Sequence, residues 1–403
     1  MDNKKPELLA PAGDMERLTM ALHYGADAVY LAGSEFGMRA SAGNFDDEGL
    51  RQAISLCHEK GVLVYITCNT LPREDEMKRL PAYLETLNDA GADAIIASDL
   101  GVISLAKKYA PSAALHISTQ MGVVNSETCK MLYDMGASRA VLARELSLAE
   151  IQNIRKNCPP ELELEVFIHG AMCVSFSGRC LLSNYLTGRD ANRGECAQPC
   201  RWRYYLVEEK RSGEYHEITE DGGTYIMNSR DMCMIEHLPE IIDAGVASLK
   251  IEGRMKSAYY AAAVTNAYRH ALDAAIEKRP LSPVWVDEME KISHRSYCTG
   301  FFFGDPSQHY SRSDSIYFAS ADVCAIVESC DEMGNAILSQ RNKFSVGDRL
   351  ELLTKDKEPF SFVLDEMKNA EGESITSAPH PMMKLSIKLP LPCSPLSLLR
   401  KPR

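Results

Sequence analysis

Long apolar runs are what this 403-residue sequence most plainly lacks: no stretch of about 18 apolar residues occurs, which excludes membrane-spanning helices of ordinary length. No apolar h-region follows the opening Met-Asp-Asn-Lys-Lys-Pro, so the expected location is the cytoplasm, away from any membrane. Positive charge is also in short supply. Lys and Arg number 44 against 56 Asp and Glu, a net charge of -12, which excludes a uniformly basic nucleic-acid coat but not a local basic site. Missing too are His-Glu-x-x-His, Gly-x-Ser-x-Gly and a Walker loop, so hydrolysis has little direct support. What is present is an ordinary globular balance, 45% hydrophobic and 25% charged, at a length that predicts two or three domains or one large barrel with an appendage. Cysteine is plentiful. The 13 thiols are odd in number and unevenly spaced, and a reducing compartment disfavours disulfides, so some of them are expected to bind something.

One phrase recurs four times: a helix ends in Gly, and two or three residues later a buried apolar strand begins. The copies are HYGADAVYLAG (23–33), DAGADAIIASD (89–99), DMGASRAVLAR (134–144) and DAGVASLKIEG (243–253). Further strands are predicted at 8–13, 62–69, 114–119 and 162–170, making eight, with amphipathic helical patterns between them. Eight alternations favour a closed (β/α)8 TIM-type barrel over residues 1–280 rather than an open doubly wound sheet. The alternation breaks after strand seven, between Gly170 and a helix expected near Ser229 or Arg230, where a cysteine-rich insertion covers 171–228. Residues 255–278 predict the closing helix and 281–319 a connector. Short strands such as VCAIVES, NAILSQ, RLELLT, FSFVLD and MKLSIKL, with a tight turn at Gly347-Asp348, predict a small β-barrel over 320–390, and 391–403 reads as a Pro-rich tail.

Working groups of such a barrel sit at the C-terminal ends of its strands. Those positions hold Asn69, Asp99, Thr119, Gln120, Arg144, Glu145, His169, Glu252 and Arg254, all polar. Two arginines facing one mouth point to an anionic ligand. The sharpest feature is the insertion itself, where Cys173, Cys180, Cys196 and Cys200 are separated by six, fifteen and three residues. Four thiolates above a barrel mouth can wrap an iron–sulfur cluster or a tetrahedral zinc, or be unrelated buried or redox thiols; only the last pair approaches a zinc-knuckle spacing. Cys57, Cys68 and Cys129 fall at apolar periodic positions and read as core. The same loop carries Arg179, Arg189, Arg193, Arg201 and Arg203 against Asp190 and Glu195, and Trp202, Tyr204 and Tyr205 offer faces on which a base can stack. His169, four residues before Cys173, is a candidate dyad partner, acid or base.

The run EVFIHGAMCVSFSGRCLLSN resembles the diagnostic segment of the collagenase-like peptidases of unassigned catalytic type, peptidase family thirty-two. ELLAPAG, YGADAVYLAG, HISTQ, VLARELS, MNSRD, SLKIEGRMKS and NKFSVGD are similar, in order, to blocks of its longer bacterial members, the tRNA 5-hydroxyuridine modification proteins. The resemblance implies hydroxylation of the wobble uridine of tRNA at ring carbon five, with prephenate as a dicarboxylate co-substrate and a four-iron four-sulfur cluster. It assigns the cluster to Cys173 in HGAMC, Cys180 in SGRC, Cys196 in RGEC and Cys200 in QPCRW, with Cys233 the reserve for the last. On this reading His169, Glu252 and Glu145 are the candidates for proton transfer; Arg144, Arg254, Gln120, Arg179 and Arg201 are those for substrate contact. The small C-terminal barrel resembles those of translation factors and is expected to help dock tRNA. A true protease, hydroxylation of ribosomal RNA, and a cluster-bearing protein that needs a paralogous partner subunit are the alternatives.

Overall fold

The computed structural model of the chain describes residues 5–38, 43–173, 175–176, 179–202, 205–207, 215–217, 229–304 and 317–403. Seven parallel strands come first: β1 (Glu7–Pro11), β2 (Ala28–Leu31), β3 (Leu63–Cys68), β4 (Ala94–Ala97), β5 (Ala114–Ile117), β6 (Arg139–Val141) and β7 (Glu163–Ala171). After β7 the chain makes a long excursion that carries a hairpin, β8 (Tyr205–Val207) and β9 (Tyr215–Glu217), and a short strand β10 (Asp231–Cys233). Strand β11 (Ser248–Ile251) then pairs in parallel with both β7 and β1 and closes the eight-stranded barrel. The repeated phrase explains the regularity. Gly25, Gly91, Gly136 and Gly245 all sit at φ between +79° and +97°, the left-handed turn that stops a helix and aims the chain back at the sheet.

The long β7 alters the expected sequel. Its end extends past the barrel wall, and β10 pairs antiparallel with it, Met232 opposite Gly170 and Cys233 opposite His169. The helix expected near Ser229 or Arg230 is therefore preceded by a strand that satisfies the backbone of the overhang, and it begins only at Leu238 (Leu238–Asp243).

The barrel has two interiors. Between strands and helices lies the large apolar core, sealed by the helix Ala258–Ile276. Inside the strands is a separate small cluster that includes Leu9, Tyr30, Tyr65 and Ile96, and beneath it an ionic network in place of the usual branched apolar layers. Arg139 bonds Glu7, Glu163 and Glu165 at 2.7, 2.6 and 3.1 Å, and Lys250 Nζ reaches Glu165 at 2.7 Å. Burial alone would raise the Glu165 carboxyl, but Lys250 and Arg139 overcome it and hold the group at about 2.

The stretch expected as a connector contains the helix Pro283–Lys291 and β12 (Tyr297–Cys298), which pairs with β10; residues 305–316 lie outside the described ones. Beyond it, eight antiparallel strands form one sheet, the half-barrel counterpart of the small barrel expected. The Pro-rich tail needs correction. Leu398–Pro402 is a strand inside this sheet, between Ala321–Cys330 and Arg349–Leu353, and Leu398, Leu399 and Arg400 are buried. Arg400 forks onto Glu288 at 2.5 and 2.6 Å and onto Glu351 at 2.6 Å, and Asn266 bonds the Thr354 carbonyl at 3.0 Å, so the small domain is fastened to the barrel's outer helices. No helix among the described residues is long and apolar enough to cross a membrane.

Candidate functional site

Two adjoining chambers occupy the C-terminal face of the barrel. The outer, about 250 Å³, lies under the insertion and is lined by all four thiols of the loop, Cys173, Cys180, Cys196 and Cys200, together with Arg144, Arg201 and Lys256. The inner, about 50 Å³, sinks between the strand ends and is lined by Tyr30, Asn69, Gln120, Phe167, Lys250 and Arg254 among others. Met38, Gln120 and Glu252 line both and form the neck between them.

The loop reaches this position through short local devices. The helix Leu182–Thr187 stops at Gly188 in the left-handed region, Asp190 caps a single turn at Ala191–Arg193, and Ser183 Oγ accepts the Ala197 amide at 3.0 Å. Arg193 forks onto Glu76 at 2.5 and 2.8 Å and ties the loop to the helix Glu74–Met77, so this arginine is a strut and not a ligand group. Burial raises the Cys200 thiol; Arg201 opposes this, and Cys173, Cys196 and Cys180 each push it further up. Cys233 is elsewhere: it is raised to about 11 by burial and lies 3.7 Å from the Tyr268 hydroxyl, outside both chambers. Cys200, and not Cys233, therefore shares the chamber with the other three.

Among the expected proton carriers only Glu252 faces this space. Its Oε2 lies 3.4 Å from the Tyr30 hydroxyl, and its carbonyl accepts from Tyr260 at 2.8 Å. The backbone on either side is held by close approach. A Cβ on Gly253, at φ +155°, would stand 2.4 Å from the Tyr260 ring, and one on Gly170, at φ +110°, would stand 2.7 Å from the Glu252 carbonyl. His169 is placed differently from expectation. It is buried among Tyr260, Tyr268 and Tyr297, with Nδ1 3.3 Å from the Tyr268 hydroxyl, and lines neither chamber. The reason is an irregularity in the pairing of β7 with β11 at Lys250/Ile251, after which His169 faces the helices. Burial drops it to about 3, so it is neutral at ordinary pH, and it does not share a chamber with Cys173 as a dyad would. Glu145, raised by burial, also lines neither chamber, and Asp99 is spent capping the helix Leu100–Tyr109.

The cations are arranged in depth. Arg254 is buried and gives Nη1 to Thr67 Oγ1 at 3.0 Å in the inner chamber. Arg144 gives Nη1 to the Ala171 carbonyl at 3.0 Å and lies over the Phe167 ring, and Arg201 bonds Gln198 Oε1 at 2.5 Å. Arg179, Tyr185, Arg189 and Trp202 are exposed on the insertion and line neither chamber; Arg203 and Tyr204, and the side chain of Tyr205, lie outside the described residues. Lys250 and Lys256 had not been singled out. Lys250 had a visible signal, a lone charge inside the buried run SLKI; Lys256 had none, being one of several polar residues after the strand.

Fold and site together define a (β/α)8-barrel protein with a thiol-lined chamber on its functional face. A model described as Peptidase family U32 matches residues 13–312, and one described as Peptidase family U32 C-terminal domain matches 319–400. The chain belongs to peptidase family U32. It is 36% identical to tRNA hydroxylation protein P1 of Bacillus subtilis, over 99% of this chain and 95% of that protein. It is 37% identical to tRNA hydroxylation protein P of Escherichia coli, over 93% and 92%. It is also 34% identical to the 23S rRNA 5-hydroxycytidine C2501 synthase of Escherichia coli, over 87% of this chain and 52% of that one.

Proposed function

We propose that this chain hydroxylates ring carbon five of a pyrimidine in RNA, with the wobble uridine of tRNA as its substrate and the dicarboxylate prephenate as co-substrate. The observation that carries the reading is the convergence of Cys173, Cys180, Cys196 and Cys200 on one chamber that opens onto a polar barrel mouth. The names of the relatives, two tRNA hydroxylation proteins and an rRNA hydroxycytidine synthase, support the reaction class.

An iron–sulfur cluster suits these residues in donor chemistry and position. Four thiols share a chamber whose other walls include Met172, Phe176 and Leu182, a soft donor set in a largely apolar lining. The described residues hold no preformed cluster of three or more ligating groups, so the ligands would have to close around the group. When bound there, a cluster would supply one-electron chemistry beside the substrate. The rest falls to side chains. Arg144, Arg201 and Lys256 give the outer chamber positive charge for the co-substrate's carboxylates and the RNA backbone. Tyr185, 79% exposed, and Trp202, 44% exposed, lie on the same insertion as exposed Arg179 and Arg189 and supply faces on which neighbouring bases can stack. Glu252, at the neck, accepts the proton that ring carbon five must lose.

The test is mass analysis of tRNA nucleosides from cells lacking this protein and any paralogue, complemented with the natural chain or with Cys196→Ala. Hydroxyuridine derivatives should return only with the natural chain, which should be brown when purified without oxygen. A colourless protein that cleaves gelatin, with nucleosides unchanged by its loss, would overturn the proposal.

A further inference from the structure

The two chambers differ in charge as well as size. The outer carries Arg144, Arg201 and Lys256 against Glu252, an excess of positive charge suited to anions. In the inner chamber the cations are engaged: Lys250 is paired with Glu165, and Arg254 donates to Thr67 Oγ1. What remains there is neutral and hydrogen-bonding, including the Asn69 and Gln120 amides and the Ser118 hydroxyl, in a lining that also holds the rings of Tyr30 and Phe167. At about 50 Å³ it admits one edge of a single heteroaromatic ring and not a whole dicarboxylate.

Gln120 is built for reading such an edge. It lies in the single turn Thr119–Met121 directly after β5; Ser118 Oγ accepts its amide at 3.3 Å, and Gly122 at φ +75° ends the turn. Its Oε1 is buried and has no hydrogen-bond partner among the described residues. A buried acceptor left open at the junction of two chambers marks a place where a ligand donor belongs. Asn69 is already engaged, accepting from the Met38 amide at 3.2 Å and donating to Ser118 Oγ at 3.4 Å, and so positions the wall instead.

Resting on the pyrimidine reading above, we propose that Gln120 recognises the hydrogen-bonding edge of the extruded target base. Oε1 accepts the N3–H of uridine and Nε2 donates to O4, as glutamine amides do at base edges. With that edge in the inner chamber, the C5–C6 edge is turned up toward the four thiols and Glu252. One side chain thus sets both which ring enters and which carbon is presented.

The experiment compares two tRNA anticodon stem-loops, identical except that the target uridine is replaced by N3-methyluridine, binding by anisotropy to the full-length protein kept anaerobic. The natural protein should prefer uridine by roughly 10- to 100-fold, the loss expected when one buried hydrogen bond is blocked. Gln120→Glu, which keeps the acceptor, should retain the preference, and Gln120→Leu should abolish it. Equal binding of both RNAs by the natural protein, or an undiminished preference in Gln120→Leu, would overturn the assignment and leave the hydroxylase reading standing. No binding of either RNA by the natural protein would remove both. The N3-methyl comparison on the natural protein decides even if the leucine variant fails to fold.

Discussion

Replacing Lys250 by Met tests the ionic floor of the barrel most directly. Lys250 and Glu165 are almost completely buried and 2.7 Å apart, with the ammonium also 4.6 Å from the centre of the Tyr30 ring. Methionine preserves most of the volume, so the cost comes from stranding a buried carboxylate. Removing one partner of a buried pair costs about 3–5 kcal/mol. Arg139 remains 3.1 Å from Glu165, which places the expectation at the lower end, about 3 kcal/mol. Adding Glu165→Gln should then recover about 1–2 kcal/mol through the coupling of the two positions, because Arg139 still has Glu7 and Glu163. Acid should narrow the gap. The folded carboxyl of the natural chain sits at about 2, below its unfolded value, so its contribution is whole above the unfolded value and is lost as pH falls toward 2. In the variant the stranded carboxyl takes up a proton more readily when folded, and the two stabilities converge on acidification. Urea denaturation followed by fluorescence of Trp285, which is buried, gives these numbers. An unchanged midpoint for Lys250→Met, or strict additivity with Glu165→Gln, would refute the reasoning.

Other outcomes follow from the same geometry. Among the histidines that burial holds low, His270 included, three are displaced furthest, His23 to about 4 and His116 and His169 to about 3, so unfolding takes up protons below their ordinary value of 6.5. Stability should fall as pH drops from 6.5 toward 4, with a slope approaching roughly 4 kcal/mol per pH unit if all three contribute, measured by urea midpoints across that range. His169→Asn should leave the pH profile of tRNA hydroxylation unshifted between pH 6 and 8 while lowering stability; a displaced profile limb would show a catalytic role instead. Gly253→Ala should lower stability by about 1–3 kcal/mol and reduce hydroxylation further than stability explains, because the Tyr260 ring and the added methyl compete for one place beside Glu252. Arg400→Met should destabilise by about 3–5 kcal/mol by stranding buried Glu288, and hydrogen exchange should show the loosening concentrated where the small domain meets the helix Pro283–Lys291.

Much of the fold was legible because its signals are local. A glycine cap followed by Val/Ile/Leu repeats within eleven residues, and DAGADAIIASD needs no distant partner to be read as helix end and strand. The four cysteines were legible for the same reason, lying on one short segment whose mouthward position follows from barrel topology. What escaped depends on distant partners or on parity. LLRKP between prolines looks like a tail until Glu288 and Glu351 bury its arginine. His169 was assigned to the mouth as the last polar residue of the expected seventh strand, but β7 runs on to Ala171 and its pairing with β11 is irregular just before His169. Arg139, Glu165 and Lys250 each appear as a single charge in an apolar strand, and only closure of the barrel brings the three together.

In the small domain the opening strand Ala321–Cys330 lies beside the closing strand Leu398–Pro402, with Ala321 across from Pro402. Its first and last strands therefore enter and leave at one place, the arrangement in which a unit can be moved between carriers without its ends being drawn apart. The seam sets the terms of any such transfer. Arg400 arrives charged and dry, so a new host must offer carboxylates where Glu288 now stands, or the arginine must give way to an apolar side chain.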